Sequence, residues 1–162
     1  SHTYNTPTEN IFTDNIVPAG LSNQFSSQDF GVWTPTLTFS TPGDLSIGYS
    51  VRSGHYSRRG NVVTLFFNIT TSSFTHSTAS GTARISGIPF NAAAGVSIAA
   101  GDVYGQGYSG TASNIACDIL PTGNILRLIA SGSSASILLL SQANMPSGTN
   151  QIYNGSITYI VA

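Results

Sequence analysis

Apolar side chains recur at every second position along most of the chain beyond residue 30, and in NVVTLFFNITT (61–71) they do so on both phases at once. Val63, Leu65, Phe67 and Ile69 fall on one face of an extended strand, while Val62 and Phe66 join Thr64, Asn68 and Thr70 on the other. The stretch SITYIV (156–161) repeats the pattern, with Ile157, Tyr159 and Val161 on one face and Ile160 on the other. Apolar groups on both faces call for cover on both, from a second layer of sheet or from another chain. No window carries the period of a long amphipathic helix.

The same alternation continues in shorter runs. VWTPTLTF (32–39) is one, with Pro35 marking an edge or an irregular start, and 45–56 is another, with Ile47, Tyr49 and Val51 sharing a face. Weaker runs fall at 82–86, 96–104, 114–120, 125–130 and 136–141, separated by turn residues such as Pro42-Gly43, Gly60-Asn61, Gly123-Asn124 and Ser147-Gly148. Eight to ten short strands of this spacing predict an all-β fold, an antiparallel β-sandwich of jelly-roll type. Residues 1–30, with Pro7 and Pro18 and no sustained period, read as an extended connector, and 31–162 as one domain with a single core.

Charged residues make up 7% of the 162 residues, lysine is absent and the net charge is −1. An average soluble domain carries about 25%. Solubility therefore rests on neutral Ser, Thr, Asn and Gly, and there is no basic footprint for nucleic acid or for an anionic membrane. No run approaches the roughly 18 apolar residues of a membrane-spanning helix, so the chain reads as soluble. Cys117, the single cysteine, sits in the apolar NIACDIL and reads as a buried thiol. His55 and His76 lie among Ser, Thr and Gly and read as exposed loop histidines. With no HxH or HExxH spacing, neither metal nor other cofactor is expected.

Catalysis is not expected either. Glycoside hydrolysis uses two carboxylates at a set separation. Of the six acids, Glu9, Asp14 and Asp29 fall in the connector, leaving Asp44, Asp102 and Asp118 scattered, and no GxSxG elbow accompanies the serines.

Three segments in order, GVWTPTLTFS (31–40), GYSVRSGHYSRRGNVVTLFFNIT (48–70) and GTARISGIPF (81–90), resemble the C-terminal domain of bacteriophage tail fibres and tailspikes, as does the closing GSITYIVA (155–162). Ile88 stands where that pattern has Leu, and 91–154 lies outside the match. The resemblance implies a homotrimer that locks three chains together at the distal end of a virion tail, is made in the bacterial host cytoplasm, and contacts host surface glycan, lipopolysaccharide or capsule. It further implies that any polysaccharide-cleaving machinery belongs to a separate upstream domain. The competing reading is a monomeric carbohydrate-binding module of a secreted enzyme.

Trp33, Tyr56, Arg58, Gly60 and Asn61 fall on the shared pattern and read as architectural. Alternation puts Arg58 on the side of Tyr56, within reach of carbonyls or a carboxylate of a neighbouring strand or chain. Arg59 reaches the turn, Gly60 supplies a positive φ, and Asn61 starts the return strand. The glycan-contacting candidates are Asp102, Tyr104, Gln106 and Tyr108 in DVYGQGYSG, two aromatic faces for sugar C–H groups beside two hydroxyl-binding side chains. Asn68 and Asn154 head N-x-S/T triplets, which carry no meaning in a protein made in bacteria.

Overall fold

The computed structural model describes residues 28–162 apart from 96, 111, 133 and 134. Its strands are β1 (Gln28–Trp33), β2 (Thr36–Thr41), β3 (Ser46–Arg59), β4 (Val62–Thr75), β5 (Ser80–Ser86), β6 (Ala99–Gln106), β7 (Asn114–Ile119), β8 (Leu126–Gly132), β9 (Ala135–Leu139) and β10 (Ile152–Ile160), with a 3-10 turn at Gln142–Asn144. All pairings between them are antiparallel. They form one sheet in the order β1-β3-β4-β10-β6-β7-β8-β5-β2, with β9 beside β8.

The all-β, antiparallel expectation is met. The sheet curls into a half-barrel, so that β2, at one end of the path, faces β3 and β4 near the other. The Leu37 amide donates to Tyr49 Oη at 3.2 Å, and the Phe39 and Phe74 rings meet edge-on at 6.1 Å. The two layers of the expected jelly-roll sandwich are here two limbs of one curled sheet. The predicted strand at 32–39 divides at Thr34-Pro35 into β1, which pairs with β3, and β2, which pairs with β5. Proline has no N–H to give a ladder, and the chain changes partner there. β1 begins at Gln28, inside the stretch read as connector, and residues 1–27 of that stretch lie outside the described residues.

One phase of each strand fills the concave side. Leu37, Phe39, Val63, Leu65, Phe67, Ile69, Ile85, Ile115, Ile119, Leu126, Leu128, Tyr153 and Ile157 are buried there, each contributing on the order of 1.5–3 kcal/mol. Cys117 is fully buried among them, and burial pushes its thiol up to about 12, which makes it an inert core group. A bulge around Ser50 shifts the phase of β3: Tyr49 pairs with Thr71 but Val51 with Thr70. The face expected for Ile47, Tyr49 and Val51 therefore splits. Val51 turns outward, and Arg52 takes its place, its guanidinium 4.6 Å from the Tyr49 ring centroid and its Nε donating to Pro35 O at 2.9 Å.

The Gly-x-Trp and Gly-x-Tyr spacings find their reason in the β1–β3 register. Trp33 pairs with Gly54 and Gly31 with Tyr56, so each aromatic ring lies over the partner strand's glycine. A Cβ on Gly54 would stand 2.6 Å from the indole of Trp33, and one on Gly31 2.5 Å from the Tyr56 ring. Trp33 Nε1 also donates to the carbonyls of His55 and Phe66, at 3.2 and 3.1 Å. His76 departs from expectation: it is half-buried, its ring 5.6 Å from Phe39 and 5.4 Å from Phe74, with Nε2 2.8 Å from Met145 O. It closes the end of the core that β4 opens at Phe74.

Asp44, in the β2–β3 turn, accepts from Ser77 N at 2.9 Å, Thr78 N at 2.7 Å and Thr78 Oγ1 at 3.0 Å. Those donors hold its carboxyl well below the usual carboxylate range.

Two outcomes follow from this packing. Gly54→Ala forces the indole of Trp33 off its seat and lowers unfolding free energy by about 1–3 kcal/mol in denaturant titration; an unchanged midpoint would refute the ring-over-glycine account. Because Asp44 ionises more readily folded than unfolded, its contribution is complete above the unfolded value of about 3.9 and is lost as pH falls below it. The melting temperatures of wild type and Asp44→Asn therefore stay apart from about pH 7 to about pH 4 and converge as pH falls further toward about pH 2, whereas parallel curves below about pH 4 would rule the clasp out as an acid-sensitive element.

Candidate functional site

The register that fills the concave side also orders the convex side. Val32, His55, Phe66 and Ser156 line up across β1, β3, β4 and β10. One step along, Asn68, Asn154 and Tyr104 line up across β4, β10 and β6. Phe30 is 67% exposed, Val32 74%, Phe66 50% and Tyr104 63%, so the second apolar phase of 61–71 has no cover from the described residues of its own chain. Both-face cover, inferred from the sequence, is supplied by the described residues on one face only.

Phe66, Asp102, Tyr104, Asn114, Asn154 and Ser156 line a depression of about 470 Å³. Phe66 also borders a second depression of about 440 Å³, between Phe30, Val32 and His55. Asn154 Oδ1 is buried at the first depression and has no hydrogen-bond partner. An unpaired buried acceptor costs on the order of 1–3 kcal/mol. A phenol face, three amide or hydroxyl side chains and one carboxylate suit a ligand with apolar C–H faces and many hydroxyls.

Of the residues singled out from the sequence, Asp102, Tyr104 and Gln106 share the convex face of β6, with Gln106 at the strand end opposite Ile152. Tyr108 does not join them. Gly107, at φ +96°, breaks the alternation, and Tyr108 packs against the core with Oη donating to Ala112 O at 3.2 Å. Trp33 is buried at the β1–β3 clasp. Tyr56 donates to Asp29 Oδ2 at 3.2 Å and meets the Phe90 ring edge-on at 5.1 Å. Arg58 lies on the same side, 5.0 Å from the Phe90 centroid, with Nε donating to Gly60 O at 2.8 Å. Gly60 has φ +61°, and Asn61 O accepts from Val161 N at 2.8 Å.

Sequence reasoning missed Phe66, Asn114, Asn154 and Ser156. A signal was present in one of them. Asn154 and its ladder partner Asn68 head the N-x-S/T triplets, and asparagine in the middle of a strand runs against β-propensity, which marks a position held for its amide. The other described carboxylates sit apart: Asp29 against Tyr56, Asp44 in its turn and Asp118 against Arg127, whose Nε donates to Oδ1 at 2.8 Å. Among the described residues, no three His, Cys, Asp or Glu side chains gather as a metal site.

No family model matches the chain, and no curated protein matches it. Among solved structures, the crystal structure of the Dettilon tailspike protein is similar in fold, with a TM-score of 0.57 at 17% sequence identity, over 80% of this chain and 23% of that one. The chain thus spans about a quarter of the tailspike's length, and at this identity the likeness is one of fold.

The Arg58 contacts generate their own test. Arg58→Ala removes a bond to the turn carbonyl and a cation over Phe90, worth about 1 kcal/mol together, and lowers the melting temperature by about 2–4 °C. An unaltered melt would mean that the β3–β4 turn holds without it.

Proposed function

We propose that the chain is the C-terminal trimerisation and host-recognition domain of a phage tail fibre or tailspike, carried at the distal end of the virion tail, where it contacts lipopolysaccharide or capsule. The observation that carries this reading is the row of exposed apolar groups on the convex face, Phe30, Val32 and Phe66, beside a depression lined by Tyr104, Asn154 and Asp102. The β1–β3–β4 part of that face is assigned to neighbouring copies of the chain. The β10–β6–β7 part, starting at Phe66, is assigned to glycan at the seam. Support comes from the fold likeness to a tailspike, from the sequence resemblance over 31–90, and from a composition that leaves few charges to keep copies apart. Catalysis has no place in this reading, since Asp44 and Asp118 are engaged in structural contacts and Asp102 stands alone.

A monomeric carbohydrate-binding module is the second reading, favoured by a depression that gathers a phenol ring, two amides and a carboxylate from β4, β6, β7 and β10. Light scattering separates the two. A mass of three times 16.8 kDa is expected for the intact chain, falling to a single copy in Val32→Asp/Phe66→Asp with the β spectrum retained. A wild type that is monomeric at micromolar concentration would remove the tip assignment. Tyr104→Ala and Asn154→Ala each weaken adsorption to host polysaccharide about tenfold, and full adsorption by both would place the glycan elsewhere.

A further inference from the structure

Two of the chain's five arginines, Arg84 on β5 and Arg127 on β8, stand directly opposite each other across one strand pair. Like charges in that position oppose strand pairing. Arg127 is compensated: the row continues to Asp118 on β7, whose carboxylate it binds through Nε and Nη2. Arg84 has only a neutral contact, Nε to Thr82 Oγ1 at 3.2 Å, and forms no ion pair among the described residues. The three groups leave one uncompensated positive charge on a chain with little charge of any kind.

Both arginines open onto a pocket of about 190 Å³, completed by Leu120, Gly123, Asn124 and Ile125 from the β7–β8 turn. That turn is strained. Thr122 has φ +59°, the one positive φ outside glycine among the described residues, and for a β-branched side chain the left-handed region is a true outlier. The conformation is held by Gly123 N donating to Leu120 O and Ala92 N to Gly123 O, both at 2.9 Å. Strain of this sort persists where surrounding structure enforces it, and it accompanies binding sites more often than plain turns. Here it brings Asn124 and the Gly123 backbone beside the arginines.

We propose that this pocket takes the carboxylate of an acidic sugar, a hexuronate or its like, within a polysaccharide. The planar guanidinium of Arg84 donates to a carboxylate through its Nη groups, Nε being held by Thr82 Oγ1, while Asn124 offers an amide, and Leu120 and Ile125 give the sugar ring an apolar flank. The pocket is too small for more than one ring, well under the roughly 300 Å³ of ordinary ligand sites. It lies apart from the Tyr104 depression, and it requires neither the trimer nor the Tyr104 contacts.

The test is a titration of the intact, isotope-labelled chain with sodium glucuronate, glucose and inorganic phosphate in parallel, following backbone amides. Glucuronate is expected to shift Gly123 and Asn124, glucose to leave them still, and phosphate to bind more weakly than glucuronate. Arg84→Gln weakens glucuronate about tenfold, while Arg84→Lys, which keeps charge but loses the planar fork, recovers only part of the loss. Should Arg84→Gln fail to fold, Asn124→Ala carries the same expectation of weakened binding. No shift with glucuronate, shifts centred on Tyr104 and Asn154 instead, phosphate binding as tightly as the sugar acid, or affinity untouched by the variants would each overturn the assignment.

Discussion

A β-strand carries two faces on one register, and neither face can be moved without the other. That constraint organises the molecule. The concave face sets the pairing, because slipping β4 against β10 by one residue would turn Leu65 and Ile69 out and bring Thr64 and Asn68 in. With the inner pairing settled, the convex rows follow without any preference of their own: Val32 beside His55 beside Phe66, Asn68 beside Asn154 beside Tyr104, Asp118 beside Arg127 beside Arg84. The core therefore assembles the surface, and residues more than eighty positions apart in the chain meet there as neighbours.

This explains what could be read from the sequence and what could not. Period-two alternation is local, so strands at 114–120 and 125–130 were legible within a residue or two of β7 and β8, and 61–71 found the start of β4 but fell four residues short of its end. The Gly-x-Trp and Gly-x-Tyr spacings were legible as parts of one pattern, but their pairing and its cause, an aromatic ring seated on each opposing glycine, are properties of two strands together. The insertion of β10 between β4 and β6 left no local trace. It is this insertion that sets Asn154 beside Tyr104. Likewise the bulge at Ser50 exchanges Val51 for Arg52, and Gly107 takes Tyr108 off the face of Tyr104. In each case one backbone irregularity overrides a correct count of alternation.

Charge is used sparingly, and most of the described charged groups have a backbone or ionic task. Arg52 closes β3 onto Pro35, Arg58 closes the β3–β4 turn on Gly60, Arg127 anchors Asp118, and Asp44 gathers the amides of Ser77 and Thr78. In a curled sheet with short turns such contacts do what helix caps and disulfides do elsewhere. They satisfy strand ends that would otherwise face water with open carbonyls and amides. Among the described residues Arg59, Arg84 and Asp102 are left without such a task, and of these Arg84 and Asp102 border depressions of the surface.

Those two groups lie on strands of the same convex face. β7 supplies Asn114 to the Tyr104 depression and Asp118 to the arginine row, four residues apart, or about 13 Å along the strand. Sheet strands hold such a spacing more rigidly than loops do, because each residue is fixed by ladder bonds on both sides and by a core side chain beneath. An extended polymer of hydroxylated rings with an occasional acid group has the same character as this surface: many neutral hydrogen bonds, apolar C–H faces, and isolated charges at set intervals. Weak contacts of that kind gain strength by repetition along one chain and across copies of the domain. On the proposed reading, a face of neutral amides with a few isolated charges suits that mode of binding better than a deep pocket would, since ordering it on contact costs little when the fold has already ordered it.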